Sequence, residues 1–206
     1  RLQEPRYALP MVGRQQELQL VKYKLDLALA GQGQIVGIVA EAGLGKSRLA
    51  AVVIRAAHER GFVGYGGACQ SDGIHTPYLA WKAVWQAFFE VDPDVPLAQQ
   101  VRGVQEKIRA AAPARLPALP LLSILLDLPL PDNEFTRNLE PSIRRSVLHA
   151  LLEDCLKAAT QAGPVFIVLE DLHWIDALSH DLLEQLARAV TDCRVGFLLV
   201  YRPRQP

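Results

Sequence analysis

The order of apolar and polar positions along the chain predicts strands that alternate with helices. Four short apolar runs have the length of buried strands, and they cover residues 35–40, 62–69, 165–169 and 195–200. Between them, apolar residues recur at three- and four-residue steps, which is the spacing of amphipathic helices. This alternation is typical of a mostly parallel sheet with helices on both faces. The continuous apolar character of the first run predicts a strand that is buried on both faces.

One predicted helix precedes the first strand, and the others fill the segments between the strands. They cover a first segment that includes residues 18–29, and then residues 46–60, 78–90, 97–112, 141–161 and 177–190. Prolines after residue 112 predict a broken helical stretch to about residue 127, because proline interrupts helical hydrogen bonding. Residues 1–10 are interpreted as a linker. The predicted domain therefore covers residues 11–206, with a helical insertion at about residues 76–139 and a polar loop at 132–139.

The composition is that of an α/β domain with a substantial core. The chain has 206 residues, of which 50% are hydrophobic. Lys+Arg and Asp+Glu both number 22, and this neutral balance argues against a dedicated nucleic-acid surface. The three cysteines lack metal-ligand spacing and predict reduced thiols in a cytoplasmic protein. Four prolines break the longest apolar stretch, residues 116–131, so no membrane span is predicted.

The first apolar run leads into the octet AEAGLGKS at residues 40–47. Its form is that of a phosphate-binding loop: a small residue, four variable residues, then Gly-Lys-Ser. Gly43 and Gly45 let successive N–H groups point into one concavity, and the following helix adds its positive N-terminal end. We expect Lys46 to reach the β- and γ-phosphates of a nucleotide and the Ser47 hydroxyl to bind Mg²⁺. The alternative is a glycine-rich turn with an incidental lysine.

The third and fourth apolar runs end in charged residues. Glu170 and Asp171 follow the third run, and the carboxyl end of a parallel strand faces the ligand crevice. In a nucleotide site, Glu170 would hold Mg²⁺ through water and Asp171 would orient or deprotonate the attacking water. Arg202 follows the fourth run and would touch the γ-phosphate as a sensor of ATP against ADP. The alternatives are two acids that cap a loop and a solvent-exposed arginine.

Three segments together resemble the AAA-type P-loop ATPase module of STAND regulators. They are VGRQQEL at residues 12–18, EAGLGKSRL at residues 41–49 and EDLHWID at residues 170–176. Such modules also occur beside class III adenylate or guanylate cyclase domains and in large LuxR-type regulators. The resemblance covers residues 11–203 and implies a three-layer P-loop NTPase fold of the ASCE/AAA type. Because relatives continue with a fifth strand and a helical lid, it also implies a chain truncated before that lid, with an open sheet edge.

The resemblance assigns site residues by position. Val12 and Gly13 would line an adenine pocket, and Arg14 would fix that segment or the nucleotide. The implied ATP- or ADP-binding residues are Val12, Gly13, Arg14, Ala42, Gly43, Leu44, Gly45, Lys46, Ser47 and Arg48. The implied Mg²⁺ ligands are Ser47 and Glu170. The implied catalytic residues, which include the Walker B acids, are Asp171, Lys46, Glu170 and Arg202.

Four further features have a structural interpretation beside a functional one. Asp176 is placed to cap the helix that follows it. The sequence GYGG at residues 64–67 indicates a bulged or closely packed strand and not a dinucleotide fingerprint. Arg144 and Arg145 are either an exposed basic face or an arginine finger that acts across a subunit interface. An aromatic stripe with helical spacing favours packing over ligand stacking, and its members are Trp81, Trp85, Phe88 and Phe89.

Together these features predict an ATP-binding regulatory switch that hydrolyses ATP slowly, within a multidomain signalling or transcription regulator. The expected partners are ATP, lid and effector domains of the same chain, and a second copy of the chain on ATP binding. Three alternatives stay open: a P-loop small-molecule kinase, a non-hydrolysing nucleotide-bound interaction module, and a DNA-loading ATPase. The kinase would need an arginine-rich lid that the sequence lacks, and the neutral charge counts against DNA loading.

Overall fold

The computed structural model describes residues 13–41, 43 and 45–203, and it contains one parallel sheet of four strands. The strands are β1 (Gln34–Val39), β2 (Val63–Ala68), β3 (Val165–Glu170) and β4 (Val195–Tyr201). Their order across the sheet is β1-β4-β3-β2, and every neighbouring pair is parallel. This confirms the α/β fold with a parallel sheet that the alternating pattern predicts.

One helix precedes β1 and the others lie between the strands, close to the predicted positions. They are α1 (Gln15–Leu29), α2 (Lys46–Glu59), α3 (Leu79–Phe89), α4 (Leu97–Ala111), α5 (Ser123–Leu126), α6 (Pro141–Ala162) and α7 (Ala177–Ala189). The proline-containing stretch forms a 3₁₀ segment, Pro113–Leu122, before α5. Because Pro117 and Pro120 lack an N–H, this segment cannot form a regular α-helix. No helix in the described residues has the length and apolar character that crossing a membrane requires.

Helices cover both faces of the sheet, which gives three layers. On one face, α1 and α2 pack against even-numbered residues of β3 and β4, with Val21, Leu25 and Ile54 buried between the layers. On the other face, residues from α3 through α7 pack around odd-numbered residues such as Ile167 and Phe197. Alternate side chains of a strand point to opposite faces, so each buried strand contributes to both cores.

The aromatic stripe and the glycine-rich strand meet where α3 packs on β2. Trp81, Trp85 and Phe89 are 0%, 1% and 2% exposed, so the packing interpretation of the stripe is confirmed. A methyl group at Gly67 would collide with the carbonyl oxygen of Ala80 in α3. The GYGG segment therefore allows a close approach of helix and strand, as the sequence indicates.

The prediction that the first strand is buried on both faces is wrong. Ile35 and Val39 of β1 are each 49% exposed, whereas Ile38 is buried. Among the described strands, β1 pairs with β4 alone and lies at the edge of the sheet. The helices on the second face pack over β2, β3 and β4, so the odd-numbered side chains of β1 lie beyond them.

Candidate functional site

The order of the strands brings the predicted charged residues together at the carboxyl ends of the strands. β4 lies between β1 and β3, and parallel strands end at the same edge. The phosphate-loop segment after β1, Arg202 after β4, and Asp171 after β3 therefore lie side by side. The backbone N–H of Ala40 reaches the carbonyl oxygen of Tyr201 at 3.4 Å, which continues the β1–β4 pairing to the start of the loop.

The loop between β1 and α2 turns at two glycines. Gly43 has φ 82° and Gly45 has φ 73°, and both values lie in the left-handed region that side chains with a β-carbon avoid. Gly45 is the N-cap of α2, and Lys46 is its first residue. Ser47 is exposed, and Lys46 and Arg48 are half-buried. The predicted contributions of Ala42 and Leu44 lie outside the described residues.

The predicted adenine segment enters α1 through two left-handed residues. Gly13 has φ 81° and Arg14, the N-cap of the helix, has φ 58°. The carbonyl oxygen of Arg14 accepts a hydrogen bond from the N–H of Leu18 at 3.0 Å, and its guanidinium lies 4.0 Å from the Glu17 carboxylate. Val12 lies outside the described residues. The role of this segment in nucleotide binding stays a prediction.

Glu170 and Asp171 form a paired acidic site at the end of β3. Burial raises the pKa of Glu170, the charge of Asp171 raises it further, and Lys46 lowers it. Lys46 is therefore within electrostatic reach of Glu170, across the width of β4. Two adjacent carboxyl groups and the exposed Ser47 hydroxyl are oxygen donors of the kind that Mg²⁺ prefers. No cluster of three metal-ligating His, Cys, Asp or Glu side chains occurs in the described residues.

The raised pKa of Glu170 predicts a pH dependence of stability in the absence of metal. Between the unfolded pKa, near the ordinary 4.5, and the higher folded pKa, the folded state binds more protons. Wild type should therefore lose stability relative to Glu170→Gln as the pH rises through this window. Urea unfolding of both proteins from pH 4.5 to neutrality, without Mg²⁺, measures the difference. A difference in unfolding free energy between the two proteins that does not change with pH would contradict this explanation. Added Mg²⁺ should reduce the pH-dependent difference.

The segment after Asp171 is a short turn that leads into α7. Asp171 has φ 54°, and its carbonyl oxygen accepts a hydrogen bond from the N–H of Trp174 at 2.9 Å. Leu172–Trp174 form one 3₁₀ turn, in which both ring nitrogens of His173 are buried without a hydrogen-bond partner among the described residues. Asp176 caps α7 by accepting the N–H of Ser179 at 2.9 Å, which confirms the predicted cap.

Asp176 makes a second contact that sequence reasoning missed. Its Oδ1 atom also accepts the backbone N–H of Tyr78 at 3.2 Å, and Asp176 is only 6% exposed. The sequence predicts that Asp176 caps a helix and that another helix begins at residue 78. The pairing itself carries no local signal, because 98 residues separate the two partners.

Both candidate arginine-finger residues have partners within the chain. Arg144 donates hydrogen bonds to the Asp132 carboxylate at 2.9 Å and to the carbonyl oxygen of Thr136 at 2.7 Å. Arg145 lies 3.6 Å from the Asp181 carboxylate and is 45% exposed. Arg144 thus fixes the loop before α6, and Arg145 lies on the accessible face of α6. The role of either residue at a subunit interface stays a prediction.

The fold and the site define a P-loop nucleotide-binding domain. The chain belongs to the AAA ATPase domain family, whose profile matches residues 10–200. Members of this family generally use ATP and Mg²⁺, and the chain is accordingly a nucleotide-binding module.

One relative extends this picture to a longer protein. An uncharacterized protein of Rhizobium meliloti (strain 1021) is 30% identical over 199 residues, which cover 94% of this chain and 19% of that protein. The chain therefore spans about a fifth of the length of this relative. No solved structure matches the chain.

Proposed function

We propose that this domain is an ATP-binding switch that hydrolyses ATP slowly and controls other parts of a larger protein. The observation that carries the proposal is the row of groups at one sheet edge: the phosphate loop, Arg202 and the acidic pair Glu170–Asp171. A phosphate cradle beside two carboxyl groups and an arginine can bind a nucleoside triphosphate and position water against it.

The proposed chemistry is in-line attack of water on the γ-phosphate. Lys46 binds the β- and γ-phosphates, and its charge stabilises the negative charge of the transition state. Asp171 orients the attacking water and accepts its proton. Ser47 and Glu170 would hold Mg²⁺, which neutralises charge on the phosphate oxygens. Arg202 contacts the γ-phosphate and makes the β4 end sensitive to its loss.

Two observations support a switch over a metabolic enzyme. The relative of this chain is about five times its length, which supports the view that the domain works beside other domains. The EDLHWID segment at residues 170–176 resembles STAND regulators, in which nucleotide state controls the arrangement of neighbouring domains. Loss of the γ-phosphate would release the segments that contact it, and a signalling or transcription regulator could use that change.

The test combines Mg²⁺-dependent phosphate release with amide hydrogen exchange in three states: without nucleotide, with ATP and with ADP. We expect turnover well below about 1 per second, the lower end of ordinary enzyme rates. We also expect amides near residues 171–176 and the end of β4 to exchange at different rates with ATP and with ADP. Phosphate transfer that requires an added small-molecule acceptor would support a kinase instead. Retained nucleotide without turnover would support a non-hydrolysing module.

A further inference from the structure

We propose that Asp176 is a positioning residue for hydrolysis, which holds Asp171 in place by fastening the loop after β3 to the loop after β2. The loop after β3, residues 171–176, is called the acidic loop here, and residues 69–78 are called the β2 loop. The inference rests on the proposed hydrolysis and assigns a role to a residue outside the proposed nucleotide-binding and catalytic residues.

The Asp176 carboxylate joins the starts of two helices. Its Oδ1 atom accepts the N–H of Ser179 in α7 at 2.9 Å and the N–H of Tyr78, the N-cap of α3, at 3.2 Å. A third hydrogen bond crosses the same junction, from Nε1 of Trp81 to the carbonyl oxygen of Ser179 at 3.0 Å. The carboxylate is almost fully buried, so water competes little for these bonds.

The acidic loop is fixed to the β2 loop at its other end as well. The N–H of Cys69 donates to the carbonyl oxygen of Glu170 at 2.9 Å and extends the β2–β3 ladder to the residue before Asp171. Burial, then the charges of Asp176 and Asp171, raise the pKa of the Cys69 thiol to about 12. Both carboxyl groups therefore act electrostatically on this one buried thiol at the start of the β2 loop.

The backbone adopts energetically unfavourable conformations where the two loops are joined. Asp171 has φ 54° and Tyr78 has φ 59°, and residues with a β-carbon rarely adopt this left-handed region. Such conformations persist where the surrounding structure fixes the chain on both sides. The hydrogen bond from the Tyr78 N–H to Asp176 fixes the chain at Tyr78. The same contact fixes the end of the acidic loop, five residues after Asp171.

The β2 loop is itself held by the second helical layer. Tyr78 is 2% exposed, and its hydroxyl lies 2.8 Å from Nε2 of His149 in α6. Nδ1 of His149 lies 3.1 Å from Oε1 of Gln185 in α7. Asp176 thus ties the acidic loop to a segment that two further helices keep in place.

Three substitutions at this position separate positioning from helix capping. Asp176→Asn keeps an acceptor oxygen at the same place, so it should keep turnover close to wild type. Asp176→Ser still caps α7, because serine is a good N-cap, but its shorter side chain cannot also reach Tyr78. Asp176→Ala removes both contacts. We expect kcat to fall by about 100-fold in the serine and alanine variants, while the Kd for ATP stays within a few-fold of wild type.

Thr136→Val is the matched control, since it removes two part-buried hydrogen bonds outside the site. The Thr136 hydroxyl donates one of them to the Asp132 carboxylate and accepts the other from the backbone N–H of Asn133. It should lower the melting temperature without changing kcat. Amide exchange is the second readout: residues 78 and 171–176 should exchange faster in the serine and alanine variants than in wild type or the asparagine variant.

The outcomes separate this inference from the proposed function. If the Asp176→Ser variant hydrolyses ATP as fast as wild type, the positioning role is overturned, even though hydrolysis itself is then established. Absence of turnover in wild type overturns the proposed hydrolysis, and with it the catalytic part of this inference. In that case amide exchange still decides whether Asp176 fastens the two loops: unchanged exchange in the serine variant would overturn that part too.

Discussion

Replacing Lys46 with alanine should weaken the binding of Mg²⁺–ATP by about 10- to 100-fold, the loss expected for charge-assisted hydrogen bonds to phosphate. Lys46 is the first residue of α2, directly after the left-handed Gly45. In the proposed site its ammonium group and the helix N-terminus would therefore act on the same phosphates. Isothermal titration of ATP and of ADP into wild type and the variant measures the effect. The loss should be larger for ATP, because the γ-phosphate is absent from ADP.

Lys22→Ala is the control for this experiment, because Lys22 is an exposed lysine on α1. It should bind ATP as wild type does, and both variants should unfold at about the wild-type temperature in the absence of nucleotide. A Lys46 variant that binds ATP with unchanged affinity would show that the octet at residues 40–47 is a structural turn.

Replacing Asp171 with asparagine should lower kcat for ATP hydrolysis by 10²- to 10⁴-fold, the usual contribution of a general base. The amide can still hydrogen-bond water, but it cannot accept the proton. ATP affinity should change by no more than a few-fold, because phosphate binding rests on Lys46 and the loop. Single-turnover assays with saturating enzyme measure the chemical step separately from product release.

The asparagine substitution suits this position because asparagine tolerates the left-handed backbone that Asp171 adopts at φ 54°. Asp192→Asn, at an exposed aspartate after α7, controls for the loss of one negative charge. Wild-type turnover in the Asp171 variant would move the water-orienting role to another group, with Glu170 as the adjacent carboxyl group.

The helices and strands could be predicted from the sequence, because each produces a periodic pattern of apolar residues over a few positions. The face of α1 that buries Val21 and Leu25 follows from their spacing. The break before α5 follows from its prolines. The glycine-rich β2 allows the close approach of α3, as its small residues suggest.

The exposure of β1 could not be predicted from the local pattern of residues. An apolar run of six residues looks alike in a central strand and at an edge, since the run does not encode which strands lie beside it. Exposed Ile35 and Val39 follow from the order β1-β4-β3-β2, which long-range packing determines.

Part of the candidate site could likewise be predicted from the sequence, and part could not. The phosphate loop and the acidic pair are short motifs whose chemistry can be proposed from spacing alone. The contact between Tyr78 and Asp176 joins residues 98 positions apart, so it required the packing of α3 against α7. The placement of Lys46 near Glu170 likewise depends on the separation of β1 and β3 by β4.

The pairing of β1 with β4 has a consequence for the synthesis of the protein. Gln34 lies opposite Gly196, so the strand that leads into the phosphate loop finds its described partner only after about 160 further residues. Contacts between such distant residues form late, because a long loop must close before they stabilise the chain. On a ribosome, β2 and β3 could pair first, while β1 and α2 wait for β4. Nucleotide could therefore stabilise the domain only when β4 has emerged.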